Sequence, residues 1–150
     1  MESKFVTTDI AVGAQPSVED ILQLAREGVK TVINLRVENE SDDQLSPFEE
    51  GQIVRDAGME YLHIPVIASQ VREGQVDEFC NAVEKLPRPI FVHCAKGKRA
   101  AALATMYQAV QEGWSGKKMI AHAEELGFPY DDPNLARFAR EYVDSRRHKK

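Results

Sequence analysis

The sequence is short of cysteine, of net positive charge and of long apolar runs, and each shortage closes off a class of protein. Its two cysteines, Cys80 and Cys94, form neither a C-x-x-C redox pair nor a zinc framework, which excludes a disulfide scaffold. In a reducing compartment both stay thiols. A formal net charge of -5 argues against any broad nucleic-acid or anionic-membrane surface, because such partners are bound through clustered Lys and Arg. Any anion site must be local. No stretch approaches the roughly 18 consecutive apolar residues of a membrane span, and the opening residues Met1 to Ile10 carry neither the basic nor the apolar segment of a secretory signal. The expected location is cytoplasmic. There is also no repeat, low-complexity run or Pro/Gly/Ser-rich linker. What remains is 150 residues, 43% apolar and 29% charged, the size and balance of one domain (1–150) whose core needs no staple.

Helix and strand signals alternate along the first two thirds. Ser17 with Asp20 three residues on, followed by Val18, Ile21, Leu22 and Ala25 on one face, predicts a helix that Gly28 stops. Thr31 to Leu35 is β-branched and nearly all apolar, the pattern of a strand covered on both faces. Ser46-Pro47-Phe48-Glu49 is a capping box with proline at the first helical position, and Gly58 closes that helix. Tyr61 to Ile64 predicts a second strand and Ile90 to Val92 a third, separated by the helical face Val76, Phe79, Cys80, Val83 and Leu86. Ile10 to Val12 would add an edge strand. Such alternation implies right-handed crossovers: an α/β fold with a short parallel sheet of four to five strands in a three-layer domain flanked by helices. After residue 98 only helical periodicities remain, and residues 145–150 predict a frayed, solvated basic tail.

Chemistry concentrates in Ile90-Phe91-Val92-His93-Cys94-Ala95-Lys96-Gly97-Lys98-Arg99, a buried strand running through a basic turn into a helix. Open α/β sheets place ligands at the carboxyl ends of their strands, where a following helix points free N–H groups and its positive dipole end back at the turn. An oxyanion would be held there, by successive amides of the turn converging on one point and by the bidentate fork of Arg99. Gly97 gives the turn the backbone freedom that converging amides require. Cys94 lies among the same cations and amides, surroundings that favour a thiolate. The predicted chemistry is attack by that sulfur on a bound oxyanion, with no cofactor and no metal.

This segment resembles the cysteine-dependent phosphatases of the dual-specificity type, with their His-Cys loop closed by an arginine. The likeness is nearest to a bacterial branch that also occurs fused to β-lactamase-like hydrolases. It rests on Gly13-Ala14-Gln15-Pro16, the run Gly28 to Arg36, the run Gly58 to Val66, and the loop from His93 to Ala100. The resemblance implies a cysteine-phosphatase-like fold, a phosphocysteine intermediate on Cys94, phosphate held by the amides of 95–99 and by Arg99, His93 shaping the loop, and a phosphorylated protein or small phosphomonoester as substrate. Three departures stand out. Four residues rather than five separate Cys94 from Arg99; Ala100 replaces the hydroxyl residue that follows the arginine; and Val66-Ile67-Ala68-Ser69-Gln70 lacks the aspartate that serves as general acid. Asp42 and Asp43 are the substitute candidates for that acid.

Two other readings follow from the same residues. The short loop also suits a rhodanese-like sulfurtransferase carrying a persulfide on Cys94, and Ala100 with the missing acid suits a phosphate-recognition module of negligible turnover. Elsewhere the plainer interpretations hold. Cys80 packs as a small hydrophobe on its helical face, His63 is a core or surface histidine, and the acidic loop 38–43 is solvated. His93 and Cys94 make no metal pair, since neighbours in a strand point to opposite faces.

Overall fold

Thr31–Asn34 and Ile90–His93 are buried along their whole length, as strands must be when helices cover both faces of a sheet. The computed structural model, which describes residues 3–40 and 44–146, builds the chain around them. In order, the elements are β1 (Ser3–Thr7), β2 (Ile10–Gly13), α1 (Val18–Arg26), β3 (Thr31–Asn34), α2 (Pro47–Asp56), β4 (Glu60–His63), α3 (Glu73–Lys85), β5 (Ile90–His93), α4 (Lys98–Glu112), α5 (Gly116–Leu126) and α6 (Pro133–Arg146). Both predicted capping boxes form, Ser17 with Asp20 and Ser46 with Glu49, and Pro47 sits at the start of α2.

The sheet order is β1-β2-β5-β3-β4. Four strands run parallel and β1 pairs antiparallel with β2, so the expected parallel sheet is in fact mixed. β1 escaped the sequence reading because three of its five residues are exposed and only Val6 is buried. A tight hairpin joins it to β2: Thr7 Oγ1 donates to Asp9 Oδ1, and Arg88 holds the same carboxylate. The segment expected at the edge, Ile10 to Val12, therefore lies inside the sheet. α1 and α2 cover one face through Ile21, Leu24 and Val54 against Val32 and Phe91. The other face carries Val76, Phe79, Leu103, Met119 and Leu135 of α3 to α6 against Ile33 and Val92. Each such side chain contributes roughly 1.5–3 kcal/mol of burial.

Ser145 and Arg146, placed by sequence in a frayed tail, are the last residues of α6. Arg146 binds Asp77 and Glu73 and its guanidinium lies 3.9 Å from the Tyr142 ring centroid. Among the described residues no helix is long and apolar enough to cross a membrane. The register has the largest functional consequence. Gly13, Asn34 and His93 occupy one rung, with His63 beside Asn34, so the loops after β2, β3, β4 and β5 all leave from one edge of the sheet.

Candidate active site

At that edge β5 delivers His93 and then Cys94, which is buried, and the chain curls through a four-residue turn into α4. Gly97 makes the curl with a φ of 102°, in the left-handed region. A Cβ there would meet only ordinary contacts, the nearest at 3.5 Å, so the demand for glycine is conformational rather than steric. The result is that the Gly97 N–H donates to Cys94 Sγ at 3.1 Å. No side chain caps α4, so its first amides and positive dipole end are left facing the loop.

Arg99, in the first turn of α4, turns its guanidinium back over the loop. Nη1 donates to the Val66 carbonyl at 2.9 Å, tying the loop after β4 to the site. The remaining fork is taken by a carboxylate that the sequence reading left in a solvated loop: Nη1 donates to Glu40 Oε1 at 2.9 Å and Nη2 to Oε2 at 2.6 Å. Asn39, with a φ of 61°, turns the chain after β3 back on itself and the Val37 N–H fastens Glu40 Oε1 at 3.0 Å. Glu40 first, and the Cys94 sulfur after it, favour the charged form of Arg99 and raise its pKa. In return the Arg99 hydrogen bonds hold the Glu40 carboxyl down to about 2.

Beneath the loop runs a buried polar chain. His93 is fully buried, and its Nε2 lies 2.5 Å from Oε2 of Glu50, itself fully buried on α2. Two lone pairs cannot face each other at that distance, so a proton sits between them. Gln15 Nε2 donates to the other Glu50 oxygen at 2.7 Å, and the Gln15 carbonyl accepts from Arg36 Nη1 at 2.7 Å. Arg36 is buried as well, and its guanidinium also reaches the Leu45 carbonyl at 3.1 Å. The buried guanidinium and carboxylate are thus paired through hydrogen bonds, except at Arg36 Nε, which makes none and faces Glu40 Oε2 at 3.7 Å. The backbone continues the brace: Gln15 N–H donates to the Ala95 carbonyl at 3.2 Å, fixing the start of the Cys94 turn to the end of β2.

The predicted residues divide accordingly. Cys94, Gly97 and Arg99 come together, and His93 supports the turn from below. Lys96 is exposed and lines a cavity of about 530 Å³ with Lys4 and Phe128, whereas Lys98 turns away to Asp131 at 2.6 Å. His63 points to the Arg36 carbonyl at 2.5 Å, a structural role. Cys80 packs among apolar neighbours with Tyr142 Oη 4.0 Å away, and burial pushes its thiol up to about 11. Asp42 and Asp43 lie outside the described residues. Glu40 and Glu50 were missed, Glu40 because it sits in a polar loop and Glu50 because in sequence it is one more acid in the first turn of a helix. Gln15 and Arg36 stood within the segments carrying the family likeness, the one available signal for them. Among the described residues no three His, Cys, Asp or Glu side chains converge where they could hold a metal ion.

Residues 2–111 match the family described as beta-lactamase hydrolase-like protein, phosphatase-like domain. A beta-lactamase hydrolase-like protein of Xylella fastidiosa is 30% identical over 118 residues, 79% of this chain and 26% of that protein. The chain thus spans about a quarter of the length of such relatives. Among solved structures, a DUF442-class protein of Shewanella putrefaciens aligns with a TM-score of 0.80 at 25% identity, over 96% of this chain and 92% of that one. TpbA of Pseudomonas aeruginosa, in complex with phosphotyrosine, aligns with a TM-score of 0.74 at 22% identity, over 98% of this chain and 88% of that one.

Proposed function

We propose, from the premise that the chain belongs to the phosphatase-like domain family of beta-lactamase hydrolase-like proteins, that it is a metal-independent phosphomonoester hydrolase working through a phosphocysteine on Cys94. The observation that carries this reading is the Gly97 N–H on Cys94 Sγ with the Arg99 guanidinium over the same turn. One amide and one cation stabilise negative charge on the sulfur; the fork of Arg99 and the first amides of α4 suit the equatorial oxygens of a phosphoryl group. The thiolate attacks phosphorus, the P–O ester bond breaks, and the leaving oxygen takes up a proton to depart as the alcohol or phenol. Water then attacks the phosphorus and breaks the S–P bond, losing a proton, returning the thiolate and releasing inorganic phosphate. His93, held by Glu50, positions the turn and touches no reacting atom.

Ala100 follows Arg99 and offers no hydroxyl to the departing thiolate, so breakdown of phosphocysteine is the slow step. A phosphorylated tyrosine or a small aryl phosphate is the substrate class to try, given the phosphotyrosine held by TpbA. The test is release of phosphate from 4-nitrophenyl phosphate, with a burst of nitrophenol equal to the enzyme concentration and loss of both in Cys94→Ser. Thiocyanate formation from thiosulfate and cyanide without phosphate release would replace this reading by the sulfurtransferase. Binding of a phosphotyrosine peptide with no burst would replace it by a recognition module.

A further inference from the structure

We infer that Glu40 is the general acid of the reaction, parked on Arg99 at rest and transferred to the leaving group when phosphate takes its place; this rests on the phosphatase reading above. The loop after β4, from Pro65 through Gln70, contains no carboxylate, and its Val66 carbonyl is spent on Arg99. The loop after β3 instead brings Glu40 onto the guanidinium that a phosphoryl group must bind. Both carboxylate oxygens use both Nη groups of Arg99, so Glu40 occupies the place of two phosphate oxygens. A substrate that claims the fork must displace it. The Val37 N–H, which holds Oε1 from behind at 3.0 Å, limits how far the side chain can retreat from the Arg99 fork.

Displacement also changes the carboxyl's charge environment in the required direction. At rest the Arg99 hydrogen bonds are the largest influence keeping Glu40 ionised. With those bonds given to a phosphate dianion, Glu40 loses the Arg99 donors and gains a like charge beside it, both of which favour its taking up a proton from solvent. The other charged groups near it are Arg36, whose Nε is 3.7 Å from Oε2 and whose charge is already shared with Gln15 and Glu50, and Cys94 beyond Arg99. The steps balance. Glu40 carboxylic acid protonates the ester oxygen as the S–P bond forms, giving phosphocysteine, a neutral alcohol and Glu40 carboxylate. That carboxylate then accepts a proton from the attacking water, giving back the thiolate, hydrogen phosphate and the acid.

The experiment measures kcat/KM for a series of substituted phenyl phosphates, with the burst phase reporting phosphorylation of Cys94. In the wild type the rate depends weakly on the leaving group. Glu40→Gln steepens that dependence: phenyl phosphate loses about 10²–10⁴-fold, while 2,4-dinitrophenyl phosphate, which needs no acid, changes by a few-fold at most. Inorganic phosphate inhibits Glu40→Gln more strongly than wild type, because Arg99 is no longer occupied. A uniform loss across the series with weaker phosphate inhibition would make Glu40 only a positioning residue for Arg99 and overturn the proposal. So would a slope unchanged in Glu40→Gln but steepened in Asp42→Asn or Asp43→Asn. A wild type that releases no phosphate from any of these esters overturns the phosphatase reading itself. The thermal midpoint of Glu40→Gln separates these outcomes from misfolding.

Discussion

The two thiols of this chain pack on the same side of the sheet, Cys94 buried and Cys80 half-buried, and their surroundings differ in kind. Cys94 stands at the carboxyl end of β5, where a turn, a helix start and a guanidinium converge on it. Cys80 stands in the middle of α3, among apolar neighbours, with Tyr142 and Asp77 alongside. A helix interior has already spent its amides on its own carbonyls, so Cys80 meets no backbone donor, and burial outweighs what the Tyr142 hydroxyl and Arg146 contribute. A strand-to-helix turn has not spent them. The lesson is that burial alone says little about a cysteine; the unsatisfied backbone around it decides.

The contrast is broken most severely by exchanging the nucleophile. Cys94→Ser should lower phosphate release by roughly 10⁴–10⁶-fold, the usual loss for a covalent nucleophile, whereas Cys80→Ser should stay within about twofold, both read as initial rates on an aryl phosphate. Next comes the support beneath the reactive thiol. Glu50→Ala leaves the fully buried His93 without its partner and frees Gln15, and should cost about 3–5 kcal/mol in urea unfolding, a loss that no equivalent change beside Cys80 on its half-buried helix face would match. Alkylation sharpens the comparison directly. With its thiol pushed up to about 11, Cys80 should react with iodoacetate only as the pH approaches that value. Cys94 should be carboxymethylated at least about 10²-fold faster near neutrality and be protected by phosphate, as read by peptide mass spectrometry; equal rates would erase the distinction.

The smallest effect concerns the acid held over the reactive side. The Glu40 carboxyl titrates near 2 folded against an ordinary value of 4.5, a depressed pKa, so its contribution is fully present above pH 4.5 and is lost as the pH falls toward 2. The stability difference between wild type and Glu40→Gln should be about 1.5–3 kcal/mol on the neutral plateau and vanish across that window in acid-unfolding curves.

Much of the scaffold was legible because its signals are local. A capping box needs residues three apart, a doubly covered strand needs a short run rich in β-branched and apolar residues, and Ser17–Asp20, Ser46–Glu49, Thr31–Asn34 and Ile90–His93 all behaved as their neighbours in sequence required. β1 was not legible, since its exposed alternation becomes a strand only by pairing with β2. The course of the Cys94 turn was legible for the same local reason: Cys94, Gly97 and Arg99 lie within six residues, and the strand before and helix after them set their geometry.

What the sequence alone determined, then, is the α/β alternation, the strand-turn-helix course around Cys94 and the place of Cys80 on an apolar helix face, each a matter of residues within a few positions of one another. The tertiary structure decided which acids matter. Glu50 reaches His93 across 43 residues and Glu40 reaches Arg99 across 59. Nothing in either acid's own neighbourhood marks it, because the contact is created by a sheet register that sets Gly13, Asn34 and His93 in one rung and sends their loops out from one edge. A carboxylate's role depends on the charge and solvent it meets, and those are supplied by the fold rather than by the adjacent chain.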